Sequence, residues 1–225
     1  MPLGYFVRIG VRTVGKAVRK LVLLSCISAA CAVSAWAVEP HRGVQYHATL
    51  INGQIIGSAF MISDGLVVTN AHVVNGRKPG DRLTLSSERR GRHSAQIVAI
   101  SKRMDLAVLR VSGNVLPIVP NVNARQTRGA SVYAVGVAAN SPNPRQRYVI
   151  AGEVSSGQTA IEPFGNGVIA RMPQIKRGFS GGPVFDQQGA MVGMVAALRS
   201  KPKQREVFIL SIGDIRAEVG RLVLN

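Results

Sequence analysis

This 225-residue sequence has little cysteine or tryptophan, and few acidic side chains for its many basic ones. Its 2 cysteines, Cys26 and Cys31, and its 1 tryptophan, Trp36, all fall within the first 37 residues. From residue 38 onward there is no thiol, which excludes a disulfide framework and any Cys-ligated zinc. Aromatic residues make up only 5% of the chain, and no basic strand is interleaved with them. That argues against a dedicated nucleic-acid surface, which needs stacking platforms beside its positive charge. Acids number 11 against 28 lysines and arginines, a net charge of +17. No low-complexity tract and no internal repeat is present.

The first 37 residues stand outside the fold. Arg8, Arg12, Lys16, Arg19 and Lys20 form a basic segment without a single acid, Leu21 to Val33 is apolar, and Ala35-Trp36-Ala37 is a small-x-small cleavage signal. That order is the order of a secretory signal peptide, with cleavage expected after Ala37. An uncleaved anchor is the rival reading, because Leu21 to Val38 has the minimum length that spans a bilayer. In either case the rest of the chain is exported. Without the five leader cations, 23 basic residues face 11 acids, a net +12 for the remainder. The cations come in short clusters: Arg89-Arg90-Gly91-Arg92, Lys102-Arg103, Arg145-Gln146-Arg147, Lys176-Arg177 and Lys201-Pro202-Lys203. Clusters of this kind give solubility and weak attraction to anionic envelope polymers, without calling for a specific nucleic acid. Export without disulfides fits a bacterial periplasmic or secreted protein better than an animal one.

Beyond the leader the pattern is one of short strands. Tyr46 to Ile51, Asn52-Gly53 and Gln54 to Ile62 read as a hairpin with a type I′ turn. Leu66 to Thr69, Arg82 to Leu85, Ala95 to Ile100 and Leu106 to Val111 follow as further strands. Pro117, Pro120, Asn121 and Asn123, between Gly113 and Gly129, then mark a crossing between domains. A second set comprises Ser131 to Val137, Tyr148 to Val154, Gly167 to Arg171, Met191 to Leu198 and Val207 to Ile212. Many short strands separated by turn signals predict an all-β fold, as barrels or a sandwich. One helix is expected, at the end: Ser211-x-x-Asp214 reads as a capping box, and Ile215, Val219, Leu222 and Val223 share a face.

Three segments carry chemistry. Ser180 sits in Gly178-Phe179-Ser180-Gly181-Gly182-Pro183, His72 follows the buried strand Leu66 to Thr69, and Asp105 precedes the apolar run Leu106 to Leu109. Taken singly, each has a bland reading: a turn serine, an edge histidine, an aspartate before a strand. Jointly they supply what a serine nucleophile requires, a base for its proton and a carboxylate to orient that base. The glycines of the turn let the N–H groups of Gly178 and Ser180 converge where an oxyanion would form. This chemistry calls for no cofactor and no metal. His41, His47 and His93 lack such contexts and read as surface or loop residues.

The three segments resemble those of the trypsin/chymotrypsin superfamily, and most of all its bacterial Deg-type (high-temperature-requirement) branch, over roughly Tyr46 to Ile212. The resemblance implies two six-stranded antiparallel β-barrels with a C-terminal α-helix packed outside. It assigns residues 38–122, with His72 and Asp105, to the first barrel, and residues 123–225, with Ser180 and the helix, to the second. It also implies a serine endopeptidase acting on protein or peptide substrates through an acyl-enzyme. Two other functions fit the same fold: a catalytically silent envelope-binding module, and an enzyme whose natural substrate is an ester.

The chain departs from that family in three places. Phe179 stands where animal relatives have an aspartate that pairs with a freed N-terminus, so that activation switch is not expected. The chain reaches Asn225 without the peptide-binding PDZ domain that Deg-type enzymes carry. Ala196 stands where many relatives have a serine near the triad aspartate. By the same resemblance Gln174 forms the base of the specificity pocket and Ala196, Ala197 and Leu198 its wall. Gln174 carries no charge, and no acid lies between Gly165 and Phe185. A desolvated cation must be paired, so small or medium apolar side chains are the expected occupants.

Overall fold

Strands account for most of the chain, and they close on themselves twice. The computed structural model describes residues 40–121, 126–201 and 204–224, with side chains left out at 40–42, 198–201, 204 and 224. The signal-peptide reading and both cysteines therefore lie outside the described residues, as does the 122/123 boundary. The first barrel is built from β1 (His47–Asn52), β2 (Gln54–Ser63), β3 (Leu66–Thr69), β4 (Arg82–Ser87), β5 (Gly91–Ile100) and β6 (Ala107–Val111), joined in the order β1-β2-β3-β6-β5-β4. The second uses β7 (Ser131–Gly136), β8 (Tyr148–Ile161), β9 (Gly165–Arg171), β10 (Pro183–Asp186), β11 (Met191–Lys201) and β12 (Gln204–Ser211), in the order β10-β11-β12-β9-β8-β7. Helix α1 (Ile212–Leu224) follows directly. The expected double barrel with a C-terminal helix is what forms.

Period-two alternation explains why several strands are buried along their whole length. In β3, Val67 points into the core of the first barrel beside Leu50, Met61, Leu85 and Leu109. Its neighbours Leu66 and Val68 point the other way, into a shared core with Phe185, Met194, Phe208 and Leu210 of the second barrel. β12 repeats the arrangement, with Val207 and Ile209 inward and Phe208 and Leu210 toward that shared core. Helix α1 adds Ile215 and Val219, with Leu222 and Val223 partly buried against it. The face predicted for the helix is thus the face that packs.

Its start differs from expectation. Among the described residues neither the Ser211 hydroxyl nor the Asp214 carboxylate makes a hydrogen bond, so no capping box closes. Asp214 does lie in the first turn, where a carboxylate is favoured by the helix dipole. The β1–β2 hairpin is tighter than expected: Asn52 pairs with Gln54, leaving Gly53 alone at the tip with φ +72°. The segment after β6 runs back along the first barrel, where Val119 donates its N–H to Met61 at 3.0 Å.

Candidate functional site

Sheet register brings His72 and Asp105 together. Thr69, the last residue of β3, pairs with Ala107, the first of β6. The chain leaves β3 through Asn70 and Ala71 into a 3-10 turn, His72–Val74, while Asp105 lies two residues before β6. Asp105 Oδ1 accepts the His72 backbone N–H at 3.0 Å, and its Oδ2 meets His72 Nδ1 at 2.8 Å. A carboxylate can only accept, so the ring proton sits on Nδ1 and the Nε2 lone pair faces outward. The carboxylate is buried, 6% exposed, whereas the imidazole is 45% exposed. Asn70, fully buried, donates from Nδ2 to the Asp105 carbonyl at 3.1 Å.

Ser180 stands in a turn that only glycine permits. Gly178 has φ +100° and Gly181 φ +84°, and a Cβ on Gly181 would lie 2.0 Å from the Ser58 carbonyl oxygen. The Arg177 carbonyl accepts the Ala139 N–H at 2.8 Å. Among the described residues the N–H groups of Gly178 and Ser180 have no acceptor, and the Ser180 hydroxyl has no partner. Buried N–H groups are rarely left unpaired. The turn thus holds two free N–H donors, with one residue between them, beside a free hydroxyl, an arrangement that is chemically able to receive an oxygen anion.

Both barrels hold this turn. Ser58 of β2 donates its backbone N–H to the Ser180 carbonyl at 2.8 Å. Thr69 Oγ1, three residues before His72, donates to the Ser58 carbonyl at 2.8 Å. Gly57 lies between the Val73 side chain and the Ser180 carbonyl, 2.8 and 3.1 Å from where its Cβ would be. From the second barrel, Gly181 N–H donates to Val195 O and Val195 N–H to Gly182 O, each at 2.9 Å. The segment carrying His72 and the turn carrying Ser180 are therefore built on the same few backbone groups.

The residues expected to shape specificity are dispersed in character. Gln174 is exposed. Ala196 is buried at a bulge of β11, where Val195 pairs with Ile209 and Ala197 with Phe208. Ala197 is half-buried, and the side chain of Leu198 lies outside the described residues. With alanine at 196, both hydrogen bonds to the Asp105 carboxylate come from His72. Phe179 is buried in the second core and touches Gly136, where a Cβ would come within 2.4 Å of the ring. Lys176 and Arg177 are exposed, with Lys176 Nζ 4.7 Å from the centroid of the Tyr148 ring.

Residues outside the expected set contribute as well. His47 was expected at the surface, yet it is fully buried on β1. Its Nε2 meets Ser58 Oγ at 2.8 Å, and Ser58 Oγ donates to the Gly178 carbonyl at 2.7 Å. Burial, and after it the Arg147 guanidinium, hold the imidazole well below its usual 6.5. His93 is half-buried on β5 with Nε2 2.8 Å from Arg90 O, and the side chain of His41 lies outside the described residues. Glu218 of α1 is buried and accepts from Ser101 Oγ, at the start of the turn that leads to Asp105. Among the described residues no group of His, Cys, Asp and Glu could hold a metal ion.

Residues 57–194 match the family described as the trypsin-like peptidase domain. A probable periplasmic serine endoprotease, DegP-like, of Pseudomonas putida (strain GB-1) is 35% identical over 144 residues, 63% of this chain and 29% of that protein. Its counterpart in Marinomonas sp. (strain MWYL1) is 36% identical over 143 residues, 62% of this chain and 29% of that protein. The chain thus spans less than a third of the length of these relatives. Among solved structures, the serine endoprotease from Yersinia pestis has a TM-score of 0.67 at 22% identity, covering 82% of this chain and 65% of the other. A protease from M. tuberculosis in its active form has a TM-score of 0.67 at 18% identity, covering 99% and 95%. At these identities the structural likeness speaks for the fold alone.

Proposed function

This chain belongs to the trypsin-like peptidase domain family, and on that premise we propose that it is an exported serine endopeptidase with Ser180 as nucleophile. The observation that carries the reading is the two-point attachment of His72 to Asp105, through Nδ1 and the backbone N–H. That attachment leaves Nε2 as a base of fixed tautomer. Ser180 Oγ attacks the scissile carbonyl carbon while its proton passes to His72 Nε2. The resulting oxyanion is received by the N–H groups of Gly178 and Ser180. Collapse of the intermediate breaks the C–N bond, the amine leaves with the proton from Nε2, and the acyl group remains on Ser180. Water, deprotonated by the same imidazole, then releases the acid. No cofactor or metal enters any step.

The leader reading gives a signal peptide over residues 1–37 and a mature chain from Val38 in the periplasm or outside the cell, with no stable membrane anchor once the leader is cleaved. The barrels then occupy 38–122 and 123–225. Relatives named as periplasmic support the compartment. The substrate is a protein or peptide with a small or medium apolar residue before the scissile bond. Neutral Gln174 and the cations Lys176 and Arg177 disfavour arginine or lysine there, and the basic surface adds only weak attraction to anionic envelope polymers. The test is labelling of residues 38–225 by a fluorophosphonate probe, with Ser180→Ala as control, followed by cleavage of a peptide library. Labelling of the parent alone, with cleavage after Val, Ala or Leu, is expected. Folded parent protein that does not label refutes the nucleophile, and cleavage dominated by Arg or Lys refutes the pocket.

A further inference from the structure

Glycine at 178 lets the turn adopt φ +100°, but the same freedom lets a glycine peptide flip at little cost. An oxyanion donor is useful only if it is held in place before the reaction. Two peptide planes meet at Gly178, and each is pinned by its carbonyl. Arg177 O, on the plane that carries the Gly178 N–H, accepts from Ala139 N–H at 2.8 Å. Gly178 O, on the next plane, accepts from Ser58 Oγ at 2.7 Å. Both planes are thereby held, which restrains φ and ψ of Gly178.

The second pin has a direction that the chemistry dictates. A carbonyl only accepts, so the single Ser58 hydroxyl proton points at Gly178 O. Ser58 Oγ must then accept from His47 Nε2, 2.8 Å away. His47 therefore carries a proton on Nε2, and among the described residues no other residue offers a partner to its buried Nδ1.

We propose that His47 is a positioning residue, which through Ser58 locks the Gly178–Phe179 peptide so that the Gly178 N–H stays aimed at the oxyanion. The inference rests on the serine-hydrolase reading of Ser180. His47 touches neither the nucleophile nor the substrate. It orients the Ser58 hydroxyl, and in doing so it removes the alternative in which that hydroxyl turns away and the glycine peptide flips. The relay crosses from β1 through β2 to the turn of the second barrel.

The experiment uses the chain from residue 38 and reads the rate of fluorophosphonate labelling at Ser180. His47→Leu, which keeps bulk but removes the donor, is expected to slow labelling about 10- to 100-fold, less than deletion of an oxyanion donor itself. Ser58→Ala should slow it to a similar extent, and the double variant should be no slower than either single one, since both cut one wire. His47→Gln, whose amide nitrogen reaches the same point, should label within about threefold of the parent, by analogy with other conservative donor swaps. In parallel, nitrogen-15 imidazole spectra of the Ser180→Ala chain should show His47 fixed as the Nε2–H tautomer. Parent-like labelling of His47→Leu, additive slowing in the double variant, or an Nδ1–H tautomer each overturns the proposal. Should His47→Leu not fold, Ser58→Ala and the tautomer decide it. A folded parent that fails to label refutes the hydrolase reading instead, and the tautomer then decides the relay by itself.

Discussion

Replacing Glu218 by glutamine should weaken the fold at neutral pH and leave it nearly unchanged in acid. Glu218 lies on α1 with its side chain 4% exposed. It accepts from Ser101 Oγ at 2.5 Å and from Arg221 Nε and Nη2 at 2.9 and 2.6 Å. Ser101 Oγ in turn accepts the N–H groups of Arg103 and Met104, at 3.0 and 3.3 Å. The Arg221 hydrogen bonds first, and Ser101 after burial has opposed them, hold the carboxyl down from 4.5 to about 2. A folded value below the unfolded one adds stability that is complete above the unfolded value and disappears as pH falls through the folded one. The window here runs from about pH 4.5 down to about pH 2. The whole shift corresponds to about 3 kcal/mol, and solvent around the exposed Arg221 trims its share. A single charge-assisted buried hydrogen bond contributes about 1.5 kcal/mol. Glu218→Gln should therefore cost about 1.5–3 kcal/mol at pH 7, falling toward zero near pH 2. Urea unfolding of parent and variant, both carrying Ser180→Ala to prevent self-digestion, measures the difference at each pH while other carboxylates cancel. A difference that stays constant between pH 7 and pH 3, or a variant as stable as the parent at pH 7, refutes the argument.

Two further substitutions probe the packing beneath the site. Gly136→Ala drives a methyl into the Phe179 ring, within 2.4 Å of its Cδ1. It should destabilise by about 1–3 kcal/mol, with part recovered in a Gly136→Ala, Phe179→Leu double variant, both read by thermal unfolding. Asn70→Ala removes the side-chain donor to the Asp105 carbonyl. It should lower stability by about 1–3 kcal/mol and slow fluorophosphonate labelling, whereas parent-like values for both would show that Asn70 only fills space.

What could be read from residues alone was local. Leu66 to Thr69 announces a buried strand, and β3 occupies those residues. Gly178 and Gly181, read as turn glycines, have the positive φ such a turn demands. β8 extends to Ile161, well past the expected Val154, because its second half is polar and is held by pairing with β9 rather than by burial. His47 was illegible for a related reason. Ala48 and Leu50 face the barrel core, so their neighbours His47 and Thr49 read as the wet face of a sheet. A turn from the other barrel, 120 positions along the chain from Ser58, covers that face. Glu218 was hidden in the same way, since its partner Ser101 lies 117 positions away.

The shared backbone of Ser58 also bears on how the chain becomes reactive. β1 to β6 all precede the turn at 178–182 in the chain, but Phe60, Leu66, Val68, Leu106 and Val108 are buried in the core shared with the second barrel. Before that turn docks, the Ser58 N–H and the Ser58 hydroxyl proton lack the acceptors they have in the fold, the carbonyls of Ser180 and Gly178. The turn docks on those groups through the Ser58–Ser180 and Ser58–Gly178 bonds. On the proposed reading of Ser180, reactivity therefore requires the second barrel to be closed against the first. Phe179, buried in the second core, makes that closing a matter of apolar packing.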